Sequence, residues 1–269
     1  MRRGTVAGTI LLAVAVGIYF AAFYRPGPVE VRDDFEKGFS PVWSWERPNE
    51  DAARILPDPL RPGNQVAAFF LNRNDPLVHD GKRVEMGLGC VGLGEAYRYA
   101  FETYLPNDYA SDPSGDNIAQ WHDMPDFLLG ESWRSPSLKL MIRDGRWLLS
   151  HRWSFAKVNR FLWEKKARDT GEEIDLGDAG NGKWIRWEFR VLWAWNTQGE
   201  LQILRDGHSI YRKQVPTAYR DWRGPYFKMG MYKPDWSVSN GVSSVNERHI
   251  YFDNVEIKRI PMAEVLADK

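Results

Sequence analysis

The amino-acid sequence predicts an all-β domain, a β-sandwich or jelly roll, behind a single N-terminal apolar helix. Three observations point there: short runs in which apolar and polar residues alternate, Asp-Gly pairs between apolar runs, and no sustained helical period after Tyr24. Thirty-six Lys and Arg balance thirty-six Asp and Glu, so no whole-molecule field steers a polyanion, and any anion affinity has to be local. Nucleic acid is therefore not an expected partner.

At the N-terminus, Arg2 and Arg3 precede an uncharged apolar run over residues 6–24. That run is close to the ~20 residues a spanning helix needs. It ends Tyr19-Phe20-Ala21-Ala22-Phe23-Tyr24, without the small residues of a good cleavage site, and Tyr24 suits a membrane interface. Residues 1–28 are expected to be a signal anchor with a short stiff linker, Arg25-Pro26-Gly27-Pro28. The positive flank then places residues 29–269 outside the cytoplasm, periplasmic or extracellular, and secreted if the anchor is cut.

Within the body, residues 98–105 alternate as a half-buried strand does. Residues 138–142 lead through Asp144-Gly145 into Trp147-Leu148-Leu149, a hairpin signature, and residues 201–211 repeat it around Asp206-Gly207. Over residues 183–193, Trp184, Arg186, Glu188 and Arg190 fall on one side, and Ile185, Trp187, Phe189 and Val191 on the other. Residues 248–258 form a closing strand. Residues 57–63, 106–117 and 175–182 read as loops, and Glu173-Ile174-Asp175 as a loop entering the Trp184 strand. The single cysteine, Cys90, cannot form an intrachain disulfide and is expected to be a buried thiol. Thirteen Trp, eleven Tyr and thirteen Phe fill the core of such a domain and offer flat rings to sugars.

Three strand patterns carry chemistry. In Gln120-Trp121-His122, an amide and an imidazole share one face while Trp121 turns to the core. In residues 226–232, Tyr226, Lys228, Gly230 and Tyr232 share a face opposite Phe227, Met229 and Met231, and Gly230 leaves room for a ligand to approach the backbone. Arg83 and Glu85 share a third face, as an ion pair or as a clamp for a carboxylate. Together they suit β-elimination at a uronate. The carboxylate has to be neutralised, a base has to remove the C5 proton, and an acid has to protonate the 4-linked oxygen.

These motifs, in this order, resemble the jelly-roll polysaccharide lyases, most of all the heparin lyase I-like group, with glucuronan and alginate lyases as further relatives. The likeness runs over about residues 34–257 and includes Tyr97-Arg98-Tyr99, Gln120-Trp121-His122, Asp175-Leu176-Gly177 and Pro225-Tyr226-Phe227-Lys228. It implies a concanavalin-like jelly roll acting on an anionic polysaccharide. Gln120 would neutralise the carboxylate, His122 would be the base and Tyr232 the acid, or an acid and base in one. Arg83, Glu85, Tyr226 and Lys228 would line the groove. Met86-Gly87 stands where the family places Leu-Arg.

Other patterns are weaker. Residues 146–168 hold seven basic residues and one acid among Trp147, Trp153, Phe155, Phe161 and Trp163, either an anionic-glycan surface or a solvated strand pair. Asp108, Asp112 and Asp116 offer hard oxygens for a structural calcium, or a plain solvated loop. No catalytic metal, organic cofactor or oligomer is expected. The alternatives in function are a non-catalytic glycan-binding module and, less so, a glycoside hydrolase, which needs two carboxyl groups about 5–5.5 Å apart when retaining.

Overall fold

The computed structural model describes residues 27, 30–158 and 169–266. The N-terminal apolar run and residues 159–168 of the basic, aromatic stretch lie outside the described residues. Two antiparallel sheets pack face to face. The back sheet runs β13 (His208–Gln214), β12 (Glu200–Arg205), β11 (Trp184–Leu192), β6 (Ala96–Tyr104), β15 (Glu247–Ile260), β4 (Gln65–Asn72) and β3 (Ala53–Pro57), with β1 (Glu30–Asp33) also paired to β15. The front sheet runs β10 (Thr170–Asp178), β9 (Arg146–Trp153), β8 (Leu138–Arg143), β7 (Asp116–His122), β14 (Tyr226–Tyr232), β5 (Arg83–Cys90) and β2 (Ser44–Glu46). Among the described residues no helix is long and apolar enough to cross a membrane.

Local chemistry accounts for the hairpins. Asp144 and Gly145 have φ of 52° and 71°, and Asp206 and Gly207 have 52° and 81°. Both pairs take the doubly positive turn whose twist matches the flanking strands. Period-two patterning accounts for the layers. On β11, Ile185, Trp187, Phe189 and Val191 are buried, while Trp184, Arg186, Glu188 and Arg190 alternate outward. Between the sheets, Trp121 meets Phe189 at 4.7 Å, Phe227 at 5.3 Å and Tyr99 at 5.4 Å between ring centroids. Burying about 150–250 Å² per ring, at about 25 cal/mol per Å², gives each ring about 4–6 kcal/mol before entropy. Cys90 is buried at the end of β5, and burial, with Asp123, pushes its thiol up to about 12.

One loop expectation is corrected. Residues 170–178 form β10, the front sheet's edge, not a loop into β11. An edge strand pairs on one side only and leaves most side chains in solvent, so its polar sequence hid the strand. A bulge between Asp175 and Gly177 broke the period further.

Candidate active site

The outer face of the front sheet carries the site. β7 and β14 are paired so that Tyr226 lies opposite His122, Phe227 opposite Trp121 and Lys228 opposite Gln120. Trp121 and Phe227 are core, which fixes the register and turns Gln120, His122, Tyr226 and Lys228 outward. On its other side β14 places Tyr232 opposite Arg83 and Gly230 opposite Glu85. The seven residues singled out from the sequence therefore occupy three neighbouring strands and one face.

Gly230 does not open space for a ligand. Its φ is +141°, and a Cβ there would lie 2.2 Å from the Val84 carbonyl oxygen. The glycine admits the backbone of β5, while on the other side of β14 the register with β7 shifts between Met229 and Tyr232, so that Tyr232 lies opposite Asn117. Tyr232 is thus five residues along β7 from His122, about 16 Å at strand rise.

Beneath this face lies an ion cluster in which Glu85 and Lys228 are buried and Arg83 and Glu46 partly covered. Lys228 Nζ donates to Glu85 at 3.0 Å and to Glu46 at 3.1 Å. Arg83 Nη1 donates to Glu46 at 3.0 Å and to Glu85 at 3.4 Å. The Gln120 amide donates to the other Glu85 oxygen. Burial pushes the Glu46 carboxyl up, but Lys228 and Arg83 together hold it below its usual range. Lys228 is therefore enclosed between carboxylates rather than free in the groove. Arg83 also lies over the Tyr232 ring, 4.1 Å from its centroid. At Gly87, a Cβ would meet Lys228 Cγ, the Phe227 carbonyl and Ser44 Oγ at 3.3 Å each, so the lysine stem fills the place of a larger side chain.

His122 is half-buried and held on three sides. Its ring stacks on Tyr226 with centroids 5.4 Å apart and meets Trp133 edge-on at 5.4 Å. Its Nδ1 is 3.0 Å from the Asp123 carbonyl. A carbonyl only accepts, so Nδ1 carries the proton and Nε2 keeps a lone pair that no other described residue engages. Burial, with nearby Lys228, pushes the imidazole down to about 3, so it is neutral at ordinary pH. Burial, with Glu46 and Glu85, pushes the Tyr226 phenol far up. The arrangement thus presents a neutral, oriented base beside an amide, with a second phenol farther along the strand.

The acidic loop is also corrected. Asp108 is exposed, but Asp112 and Asp116 are buried, not solvated. Lys233 lies 2.8 Å from Asp112, and Arg248 Nε lies 2.9 Å from Asp116. Two carboxylates are balanced by two cations, with Lys233 directly after Tyr232 and Asp116 directly before Asn117. Behind His122, Asp126, Glu131 and Asp221 bring ligand oxygens within 4.8 Å of one another, the one such metal-compatible group among the described residues. Arg134 pairs with Glu131 and Asp221 there and braces the loop. In the basic stretch, Arg146 pairs with Asp175 and Asp178, and Trp147 is core.

The sequence reading missed Glu46, Asn117, Lys139 and Trp133. Glu46 sits on a three-residue edge strand with no periodic signal. Trp133, half exposed on a loop, meets His122 only through folding. Lys139 was visible on a predicted strand, but its place opposite Gln120 is a fact of register.

A family model described as polysaccharide lyase matches residues 35–256. No curated protein sequence matches the chain. Among solved structures, the chain is similar to an endo-β-1,4-glucuronan lyase from the fungus Trichoderma reesei, at 19% identity and a TM-score of 0.70, covering 87% of this chain and 97% of that one. It is also similar to the alginate lyase AlyC3, at 18% identity and a TM-score of 0.53, covering 73% and 75% of the two chains. A third likeness is to AlgAT5, an alginate lyase of polysaccharide lyase family 7, at 13% identity and a TM-score of 0.51, covering 82% and 95%.

Proposed function

The chain belongs to the polysaccharide lyase family, and from that premise we propose that it cleaves a uronic-acid-containing glycan by β-elimination on the outer face of the front sheet. The observation that carries this reading is the imidazole of His122, neutral and with an Nε2 lone pair that no other described residue engages, two residues from the Gln120 amide on one strand face.

In this scheme Gln120, with one amide proton committed to Glu85, turns its second toward the uronate carboxylate. Neutralising that carboxylate makes the C5 proton acidic enough to remove. His122 Nε2 takes the C5 proton, and the pair of electrons left on C5 forms the C4–C5 double bond. The C4–O4 bond breaks, and the Tyr232 hydroxyl gives its proton to O4. Charge growing on the phenol oxygen lies beside the Arg83 guanidinium, which favours the transfer. Arg83 and Lys228 act mainly through Glu46 and Glu85, holding Gln120 and Tyr232 in place. Tyr226 fixes the plane of His122 by stacking.

The test is a screen of glucuronan, alginate, hyaluronan, heparan sulfate and heparin for the ultraviolet absorbance of an unsaturated uronate. The fold likeness makes glucuronan and alginate the first two to try. On the substrate found, His122→Ala should lower turnover about 10²–10⁴-fold, the usual worth of a general base, while glycan affinity changes only a few-fold. Tight binding of uronans with no unsaturated product from any of them would overturn the β-elimination reading.

A further inference from the structure

We infer that Lys139 is a substrate-binding residue that receives the uronate carboxylate jointly with Gln120. This inference rests on the polyuronate reading of the same face, and deepens it by naming the cation that meets the substrate's charge.

β8 pairs with β7 so that Lys139 lies directly opposite Gln120. Side chains directly opposite on one face stand about 4.5–5.5 Å apart at Cβ. Gln120 is therefore flanked by two lysines, Lys228 from β14 and Lys139 from β8. The two differ in their partners. Lys228 is buried and donates to both Glu46 and Glu85. Lys139 is half-buried and makes no hydrogen bond or ion pair to another described residue.

The surroundings of Lys139 are net positive. Its neighbours on this face are Gln120 and His122 of β7, Arg143 of its own strand, Ser150 and Arg152 of β9, and Glu173 of β10. Glu173 is committed to Arg143, with one contact at 3.1 Å, and Asp169 to Arg152 at 3.2 Å. Three cations thus face Glu173 and Asp169, with Asp144 also 3.9 Å from Arg143, and among the described residues Lys139 is the cation without an ion partner. Burial first, then Arg152, pushes its ammonium down to about 8, with Glu173 opposing and Arg143 adding to the fall. A half-desolvated ammonium with no paired carboxylate among the described residues gains most from an anion placed beside it. The anion has to reach Gln120 as well, and a uronate carboxylate whose C5 faces His122 does so: His122 is two residues beyond Gln120, about 6.6 Å along the strand. Lys228 is satisfied without ligand, so Lys139 is the cation that substrate recruits.

The test compares binding of a β-1,4-linked oligoglucuronate and an oligomannuronate with that of their carboxyl-reduced counterparts, by calorimetry, on wild type, Lys139→Met and Lys139→Arg. Lys139→Met should weaken the better-bound acidic oligomer at least about tenfold, the worth of one charge-assisted hydrogen bond, and leave the carboxyl-reduced oligomer unchanged. Lys139→Arg should restore most of the affinity. Affinity of wild type should fall as pH rises through about 8, and that of Lys139→Arg should not. Equal affinity of wild type and Lys139→Met, equal weakening for acidic and reduced oligomers, no binding of either acidic oligomer, or the same alkaline fall in Lys139→Arg would each overturn the inference. The β-elimination reading fails separately, by absence of unsaturated product from a wild type that binds.

Discussion

The outer faces of the two sheets use the same charged residues to opposite ends. On the back sheet the carboxylates around Arg98, Glu188 and Glu256, each hold two or more cations. Arg98 bridges Glu188 and Glu256 at 2.7 Å each; Glu188 also takes Arg190 at 2.7 Å, and Glu256 takes Lys258 at 3.4 Å and Arg32 at 3.5 Å. Arg61 joins Glu102 at 2.8 Å, Asp253 at 2.7 Å and Asp58 in a second web. On the front sheet Glu85 and Lys228 are sunk under the face, with Arg83 and Glu46 partly exposed at their side. Above them stand His122, whose one ring bond is to a carbonyl, and Lys139, which has no ion partner among the described residues. A charged β-face is a candidate site not because it is charged but because some of its charge is left unanswered.

The largest effect that sharpens this contrast is expected at Lys228. Lys228→Met removes one of two cations shared by the buried Glu85 and the partly exposed Glu46, and leaves Arg83 to balance both. Unpairing a buried ion costs about 3–5 kcal/mol, so the urea midpoint should fall steeply. The double variant Lys228→Met with Glu85→Gln should recover much of that loss, because it removes the stranded charge. A loss in the single variant below about 1 kcal/mol, the range of exposed pairs, would mean that solvent already reaches this cluster and that the two faces do not differ.

Much of this face was legible in the sequence, and the reason is local. Gln120-Trp121-His122 and the seven residues of β14 carry their own alternation, so which side chains share a face follows from period two alone. The Asp-Gly hairpins were legible for the same reason, since the turn chemistry lies in adjacent residues. What lies across strands was not legible. That His122 stacks on Tyr226, that Lys139 faces Gln120 and that Glu46 closes the ion cluster depend on register between segments up to 182 residues apart. The bulge at Gly230 shows the limit well: the glycine was correctly singled out, but whether a ligand or a neighbouring strand uses its missing Cβ is decided only by folding.

The next effect in size concerns pH. His122 titrates near 6.5 when unfolded and is pushed down to about 3 when folded, first by burial and then by Lys228. Between those values the unfolded chain binds a proton that the folded chain does not. Its contribution to stability is therefore full above about 6.5 and is lost progressively as pH falls toward about 3, with a slope of up to about one proton. Buried Asp123, pushed up to about 6, works in the opposite direction over part of that range. The difference between wild type and His122→Gln isolates the histidine. Urea unfolding at about pH 7 and about pH 4.5 should show wild type losing more stability on acidification than the variant. Parallel losses would mean that the imidazole is not held neutral, and the base assignment would lose its electrostatic footing.

The smallest effect is expected on the back sheet, and it probes the contrast from the other side. Arg98 looks as important as Lys228: it lies on a central strand, makes two short contacts and is mostly covered. Yet its carboxylates do not depend on it. When Arg98 becomes Met, Glu188 keeps Arg190 and Glu256 keeps Lys258 and Arg32, and both carboxylates retain some access to water. No charge is stranded, so the loss should be about 1 kcal/mol or less, as for exposed pairs, and the little that is lost should shrink further in high salt. A loss as large as that at Lys228 would show that the redundancy is only apparent, and that the back sheet is no more saturated than the front.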